Sequence, residues 1–354
     1  MMSHLADLKP ARIAIIKPSA LGDILHSLPV LTALRRRFPA ARITWLVNRS
    51  YDVLLRGHPE LDATLPFERH PYRDGVFAGL RTQRAFLANL RREAFDLTID
   101  LQGLFRSGLL SWMTGAKTRI GMSSAREGSR FFYTHRIPDG GFDVHAVDRY
   151  WKVIEALGDA PAQKSFRLPV QPEAQAWAHD KLASLPRPWI AVAAGARWLT
   201  KRWPPGHFAE LIRRAQARFG GSALLVGTPD ERPLAEEAAQ LIAGPHEVFA
   251  GSTSLAQLTA LLAAADIVLA NDTGPLHLAV ALGKPVVAPY TCTSVRKTGP
   301  YGQFHRAIET QVWCQGREIR TCSRLECMAE LTPDRLWPAL EEILVSWQRN
   351  PLSA

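Results

Sequence analysis

The apolar positions of the chain fall into two alternating patterns. Arg12-Ile-Ala-Ile-Ile-Lys17 is a short unbroken apolar run closed by charges, as in a strand that a parallel sheet buries on both faces. From Asp23 to Arg37 the period changes. Ile24, Leu28, Leu31 and Leu34 recur at helical spacing, and the last turn, Arg35-Arg36-Arg37, is basic as the helix dipole favours. Arg42-Ile-Thr-Trp-Leu-Val47 returns to the strand pattern. Strand, helix and strand with short joins predict a βαβ unit with a right-handed crossover.

The alternation continues along the chain. A basic helix is predicted around 81–94 and a strand over 96–100, while 68–79, rich in Arg, His and aromatics, reads as a surface loop. Strand signals thin out over 159–188, where Pro and Ala accumulate. A second series then predicts strands over 189–193, 222–227, 246–249, 266–270 and 285–288, with helices around 205–219, 230–243, 254–264 and 275–282. A last helix, about 333–348, follows Thr332-Pro333. The predicted fold is α/β, with two Rossmann-like halves, 1–165 and 166–332, and a terminal segment 333–354. Ligands are expected in a central cleft, at the carboxyl ends of the strands.

Composition narrows the class. At 354 residues, with 47% hydrophobic and 21% charged positions, the chain is an ordinary folded protein of two-domain size. Lys and Arg number 43 against 33 Asp and Glu, and the net charge of +10 favours an anionic partner over a neutral one. No apolar run reaches the ~18 residues of a membrane span. Lys9, Arg12 and Lys17 interrupt the one apolar stretch near the start, so no export signal is read and the expected compartment is the cytoplasm. No helix-turn-helix, zinc-finger or aromatic-basic RNA-binding pattern occurs, which argues against nucleic acid. Gly-x-Gly-x-x-Gly, the P-loop and His-Glu-x-x-His are also absent, removing most support for a dehydrogenase, a P-loop ATPase and a zincin.

Three segments carry candidate chemistry. In Lys17-Pro-Ser-Ala-Leu-Gly-Asp-Ile-Leu-His26, a turn containing Gly22 joins the first strand to a helix. Asp23 there reads either as an N-cap or as a general base for an acceptor hydroxyl. In Ala194-Gly-Ala-Arg-Trp-Leu-Thr-Lys-Arg-Trp-Pro-Pro205, Lys201 and Arg202 either neutralise a diphosphate or are plain basic loop residues. In Ala270-Asn-Asp-Thr-Gly-Pro-Leu-His277, Thr273, Gly274 and a helix start suit a phosphate, and Pro275 suits the first helical position. The bland alternative is an efficient cap with His277 a satisfied helix residue. Cys292, Cys314, Cys322 and Cys327 contain no Cys-x-x-Cys pair. They read as free thiols before a metal site.

Taken together, these segments resemble the lipopolysaccharide heptosyltransferases of glycosyltransferase family 9, over nearly the whole chain. Ser19–His26 looks like the family's first loop and Asp100-Leu-Gln-Gly-Leu-Phe-Arg106 like its acceptor-side segment. Lys201-Arg-Trp-Pro204 and Asp272-Thr-Gly-Pro-Leu-His277 look like its two nucleotide-side motifs. The resemblance implies a GT-B fold with an acceptor-binding first domain, a donor-binding second domain and a final helix crossing back to the first. It implies inverting transfer of heptose from ADP-heptose to the Kdo or heptose of the lipopolysaccharide inner core, with no required cofactor or metal. Asp23 would be the general base and Lys201 its catalytic partner at the leaving group. Gly22, Arg197, Lys201, Asp272, Thr273, Gly274 and His277 would line the donor, with Glu231 and Thr253 at the nucleoside. Gln102, Arg106 and Arg126 would face an anionic lipopolysaccharide precursor at the inner surface of the cytoplasmic membrane. Where some members carry hydroxyls before the lysine, this chain has Ala196-Arg197-Trp198-Leu199, which shifts phosphate contact to Arg197 or backbone amides. Two rival readings are a heptosyltransferase acting on a protein acceptor and a non-catalytic nucleotide-sugar binder.

Overall fold

The computed structural model describes residues 5–68, 76–159, 163–302 and 305–349. The chain divides into two compact units on either side of the Pro169–Val170 bond, against the 165/166 boundary expected from composition.

In the first unit, β1 (Arg12–Ile16), β2 (Arg42–Asn48), β3 (Ala63–Phe67), β4 (Leu97–Asp100), β5 (Thr118–Met122) and β6 (His135–Ile137) form one sheet in the order β3-β2-β1-β4-β5-β6. Every pairing is parallel. The helices are α1 (Leu21–His26), α2 (Leu28–Arg37), α3 (Val76–Arg92), α4 (Phe105–Met113) and α5 (Ala146–Ala156). β1 is central because it is apolar after Arg12: Ile13, Ile15 and Ile16 are wholly buried, and Ile16 pairs with both Leu46 and Asp100. The strand order reverses between β1 and β4, so the loops that leave them open at the topological switch point.

The second unit repeats this plan. It begins with α6 (Pro172–Leu182), inside the stretch that composition marked only as a junction. Its strands β7 (Trp189–Ala193), β8 (Ser222–Leu225), β9 (His246–Val248), β10 (Ile267–Ala270), β11 (Val286–Tyr290) and β12 (Arg306–Glu309) run in the order β9-β8-β7-β10-β11-β12, all parallel. The helices are α7 (Pro205–Phe219), α8 (Arg232–Gln240), α9 (Leu255–Ala264), α10 (Gly274–Ala281), α11 (Val295–Thr298), α12 (Glu326–Glu330) and α13 (Pro333–Arg349). Here the switch point lies between β7 and β10. The terminal helix α13, expected to return to the first half, buries Leu336, Leu340 and Leu344 in the core of the second, packed with α7.

Several expectations are corrected. The single helix over 23–37 is broken at Ser27. Pro29 brings no N–H to the ladder, and Ser27 Oγ donates to the Asp23 carbonyl at 2.8 Å. Of the expected loop 68–79, residues 76–79 belong to α3, and 69–75 lie outside the described residues. β3, β5, β6 and β12 escaped the pattern because none carries an unbroken apolar run; the internal β5 is interrupted by Thr118, Arg119 and Gly121. Among the described residues, no helix is long and apolar enough to cross a membrane.

Candidate active site

In the first unit the chemistry gathers where β1 and β4 end. α1 begins at Leu21, so Asp23 is its third residue rather than its N-cap, and the carboxylate reaches back to accept the Ala20 N–H at 3.3 Å. Lys17, just past β1, is buried. Its ammonium donates to the Tyr150 hydroxyl at 2.8 Å and to the Leu101 carbonyl at 3.1 Å, and lies 3.8 Å from Asp23 Oδ1. Tyr150, from α5, donates its own hydroxyl hydrogen to Asp23 Oδ1 at 3.0 Å. Burial opposes charge on Asp23. The Lys17 ammonium and the hydrogen bonds from Tyr150 and Ala20 outweigh it and hold the carboxyl below its ordinary value. The side chain nonetheless keeps 39% of its surface open. It is an ionised carboxylate with a wet face.

The β4 loop is set by a buried acid. Asp100 takes hydrogen bonds from the Gln102 and Gly103 amides at 2.8 and 3.1 Å and from the Tyr133 hydroxyl at 2.6 Å, and burial raises its carboxyl above the ordinary value despite them. The turn thus fixed presents Gln102, whose Oε1 accepts the Ser19 N–H at 3.4 Å beside the Asp23 turn. Gly22 lies in that turn, in the first turn of α1. Arg106 is exposed in the first turn of α4. Arg126 is exposed too, tied by its N–H to the Gly103 carbonyl at 2.8 Å, with its guanidinium over the Phe142 ring.

In the second unit, Lys201 donates to Asp272 Oδ2 at 2.6 Å and to the Asp272 carbonyl at 3.3 Å. His277 Nε2 lies 3.4 Å from Asp272 Oδ1, and Tyr290 and Thr298 approach the same carboxylate. Burial works against this charge, but His277 and Lys201 more than compensate, and Asp272 is held far below the ordinary carboxylate range. Thr273 precedes α10 in extended backbone and turns its hydroxyl to the Asn271 carbonyl, so no side chain caps the helix. Gly274 takes the first helical position and Pro275 the second, one place later than expected. The Gly274 and Leu276 amides are left pointing out of the helix start.

Glu231 sits against the β7 loop because Gly195 has no side chain. A Cβ there would lie 2.3 Å from Glu231 Cδ. The carboxylate also accepts the Thr228 N–H at 2.9 Å. Arg197 is exposed on the same loop, whereas Arg202 turns inward and donates to the Ala196 carbonyl at 2.6 Å. Thr253 is half-buried just before α9. The four cysteines are free thiols, Cys292 and Cys327 buried. Burial, with the nearby Cys314, Cys292 and Cys322, pushes the Cys327 thiol up to about 11. Among the described residues, no three His, Cys, Asp or Glu side chains are arranged to hold a metal ion.

Three contributors carried no sequence signal of their own. Tyr150 acts across a separation of 127 residues. Asn271, wholly buried, donates to the Ala194 carbonyl at 2.8 Å and accepts the Trp203 N–H at 3.2 Å, joining the β7 and β10 loops. Lys17 was legible only as the charge that ends a strand.

A family model described as glycosyltransferase family 9 (heptosyltransferase) matches residues 83–328. The chain belongs to glycosyltransferase family 9. It is therefore a transferase. Among family 9 relatives, lipopolysaccharide heptosyltransferase 1 of Pseudomonas aeruginosa is 29% identical over 360 residues, covering 95% of this chain and 98% of its own. Lipopolysaccharide core heptosyltransferase OpsX of Haemophilus influenzae is 27% identical over 303 residues, 84% of each chain. The solved family 9 glycosyl transferase of Veillonella parvula has a TM-score of 0.83 over 95% of this chain and 97% of its own, at 22% identity a likeness of fold. The E. coli heptosyltransferase WaaC with ADP gives 0.76, at 26% identity, over 94% and 99%. The two parallel sheets are those of the GT-B class to which these family 9 structures belong.

Proposed function

We propose that the protein moves heptose from ADP-heptose to the Kdo or heptose of the lipopolysaccharide inner core, with inversion at the anomeric carbon and Asp23 as general base. The observation that carries this reading is Asp23 itself: a carboxylate held ionised by Lys17 and Tyr150 at a switch point, yet open to solvent. The relatives named for lipopolysaccharide heptosyl transfer, and a related enzyme solved with ADP-2-deoxy-2-fluoro heptose, support the donor and the acceptor class.

An acceptor hydroxyl is a weak nucleophile. As its oxygen bonds to the anomeric carbon, its proton passes to Asp23, and the bond from that carbon to the diphosphate breaks with the electron pair leaving on ADP. The leaving group gathers negative charge. The open amides at the start of α10, the helix dipole and the Lys201 ammonium meet that charge. Asp272 balances Lys201 and fixes its position, so the helix start supplies much of the positive field. Thr273, Gly274, His277 and Arg197 complete the phosphate end, and Glu231 and Thr253 hold the nucleoside. The proposed step calls for no metal ion. Gln102, Arg106 and Arg126 orient the anionic acceptor beside Asp23.

Replacing the base separates chemistry from binding. Asp23→Ala is expected to lower turnover about a thousandfold and to leave ADP affinity, measured calorimetrically, unchanged. Undiminished turnover would remove Asp23 from the mechanism.

A further inference from the structure

Four large apolar side chains of the first unit stand exposed within one stretch of sequence: Phe105, Trp112, Phe131 and Phe142. On α4 the pattern is inverted relative to a helix that faces water. Phe105, Leu109 and Trp112, four and three residues apart, share one outward face, whereas Ser107, Gly108 and Ser111 are the buried ones. The turn Ser129–Phe132 packs tightly on the inner side. A Cβ on Gly108 would lie 2.9 Å from Phe132 Cδ2 and from Ser129 Cβ, and the Phe105 and Phe132 rings meet edge to face at 5.5 Å. The backbone beneath the exposed rings is therefore fixed. Phe131, on that turn, is 78% exposed and Trp112 55%.

The charge of the stretch that carries these rings has one predominant sign. Between Phe105 and Asp143 the chain carries Arg106, Lys117, Arg119, Arg126, Arg130 and Arg136 against Glu127, Asp139 and Asp143, and Asp139 is buried beside Ser123 and Ser124. Arg126 and Arg149 both lie over the Phe142 ring, at 4.9 and 4.6 Å. Arg149 also donates to the Tyr150 hydroxyl at 3.5 Å, and Tyr150 holds Asp23, so Phe142 is linked through Arg149 to the Asp23 cluster.

Exposed aromatic rings with arginines over two of them, Arg130 over Phe131 and Arg126 and Arg149 over Phe142, fit a boundary with an apolar side and an anionic side. Aromatic side chains concentrate at headgroup depth, and each arginine near an anionic bilayer adds attraction. We propose that the outward face of α4 and the 129–132 turn seat the protein on a bilayer containing anionic lipid. The proposal deepens the glycolipid-acceptor reading above, on which it rests: the acceptor's lipid anchor would share the bilayer on which the first unit sits. Three rings alone bind weakly, so the arginines are needed and the contact is salt-sensitive.

The test is vesicle flotation of the full chain, with phosphatidylcholine alone or mixed with phosphatidylglycerol. The parent is expected to float with the anionic vesicles only, and less at about 0.5 M salt. A Trp112→Ser, Phe131→Ser double variant should lose about tenfold or more in partitioning, while Trp112→Phe floats like the parent. ADP affinity and turnover of a delipidated, water-soluble acceptor should stay unchanged in the double variant. A parent that does not float, or a double variant that floats as well, overturns the proposal. So does a parent dimer that the double variant converts to monomer with flotation unaltered, which would assign the face to a second copy of the chain. Intact flotation without transfer to any acceptor would instead count against the glycolipid reading alone.

Discussion

At the scale of single residues, the proposed base is shaped by what surrounds it. Asp23 owes its charge to Lys17, in the same strand-to-helix segment, and to Tyr150, 127 residues away. Its folded-state value lies below the ordinary one, so the active, ionised form persists as pH falls through the usual carboxylate range and is lost only below it. Tyr150→Phe keeps the ring but removes the hydrogen bond to Asp23. The acid limb of the kcat profile is then expected to move to higher pH and kcat to fall about tenfold, with the KM for the donor unchanged. An acid limb that stays in place would show that Tyr150 only fills space. Tyr150 could not be read from the chain, because a tyrosine in a helix of ordinary amphipathic pattern has no local mark of the carboxylate it will meet. Asp23 was legible, because it stands next to a glycine in a strand-to-helix turn, although its place as third helical residue rather than cap was not.

At the scale of elements, legibility followed the unbroken apolar run. Central strands such as β7 and β10, apolar throughout, and β1, apolar after Arg12, were readable, whereas β3, β6 and β12 at the sheet edges and the internal β5 share their composition with loops. Helices α7, α9 and α10 were placed to within a residue or so by Pro205, Ser254 and Pro275 at or near their starts. The approach of the β7 loop to Glu231 was invisible, since Gly195 in a loop signals only permissiveness. It yields a prediction at this scale. Gly195→Ala forces the Glu231 side chain aside and breaks its bond to the Thr228 amide. Thermal melting should show a loss of about 1 kcal/mol, one hydrogen bond's net worth. ADP affinity should fall about tenfold, the equivalent of one charge-assisted hydrogen bond. Unchanged ADP affinity would exclude Glu231 from the nucleoside site.

At the scale of the whole molecule, each unit carries the same strand order, and the loops at the switch point where that order reverses hold Asp23 and Gln102 in the first unit and Arg197, Lys201, Asp272 and Thr273 in the second. The first offers the proposed base, Asp23, and the exposed Arg106 and Arg126. The second offers a helix start and a paired lysine. This division is the one that transfer of a sugar from a nucleotide diphosphate to an anionic acceptor requires, and the net charge of +10 agrees with such an acceptor. The most direct test is mass spectrometry of the purified protein incubated with ADP-heptose and either Kdo-bearing lipid A or the same acceptor already carrying one heptose. The account predicts a gain of one heptose on one of these acceptors, and loss of that gain in Asp23→Ala. No gain on either, with ADP-heptose bound, would contradict it and point to a protein or a different glycan as acceptor.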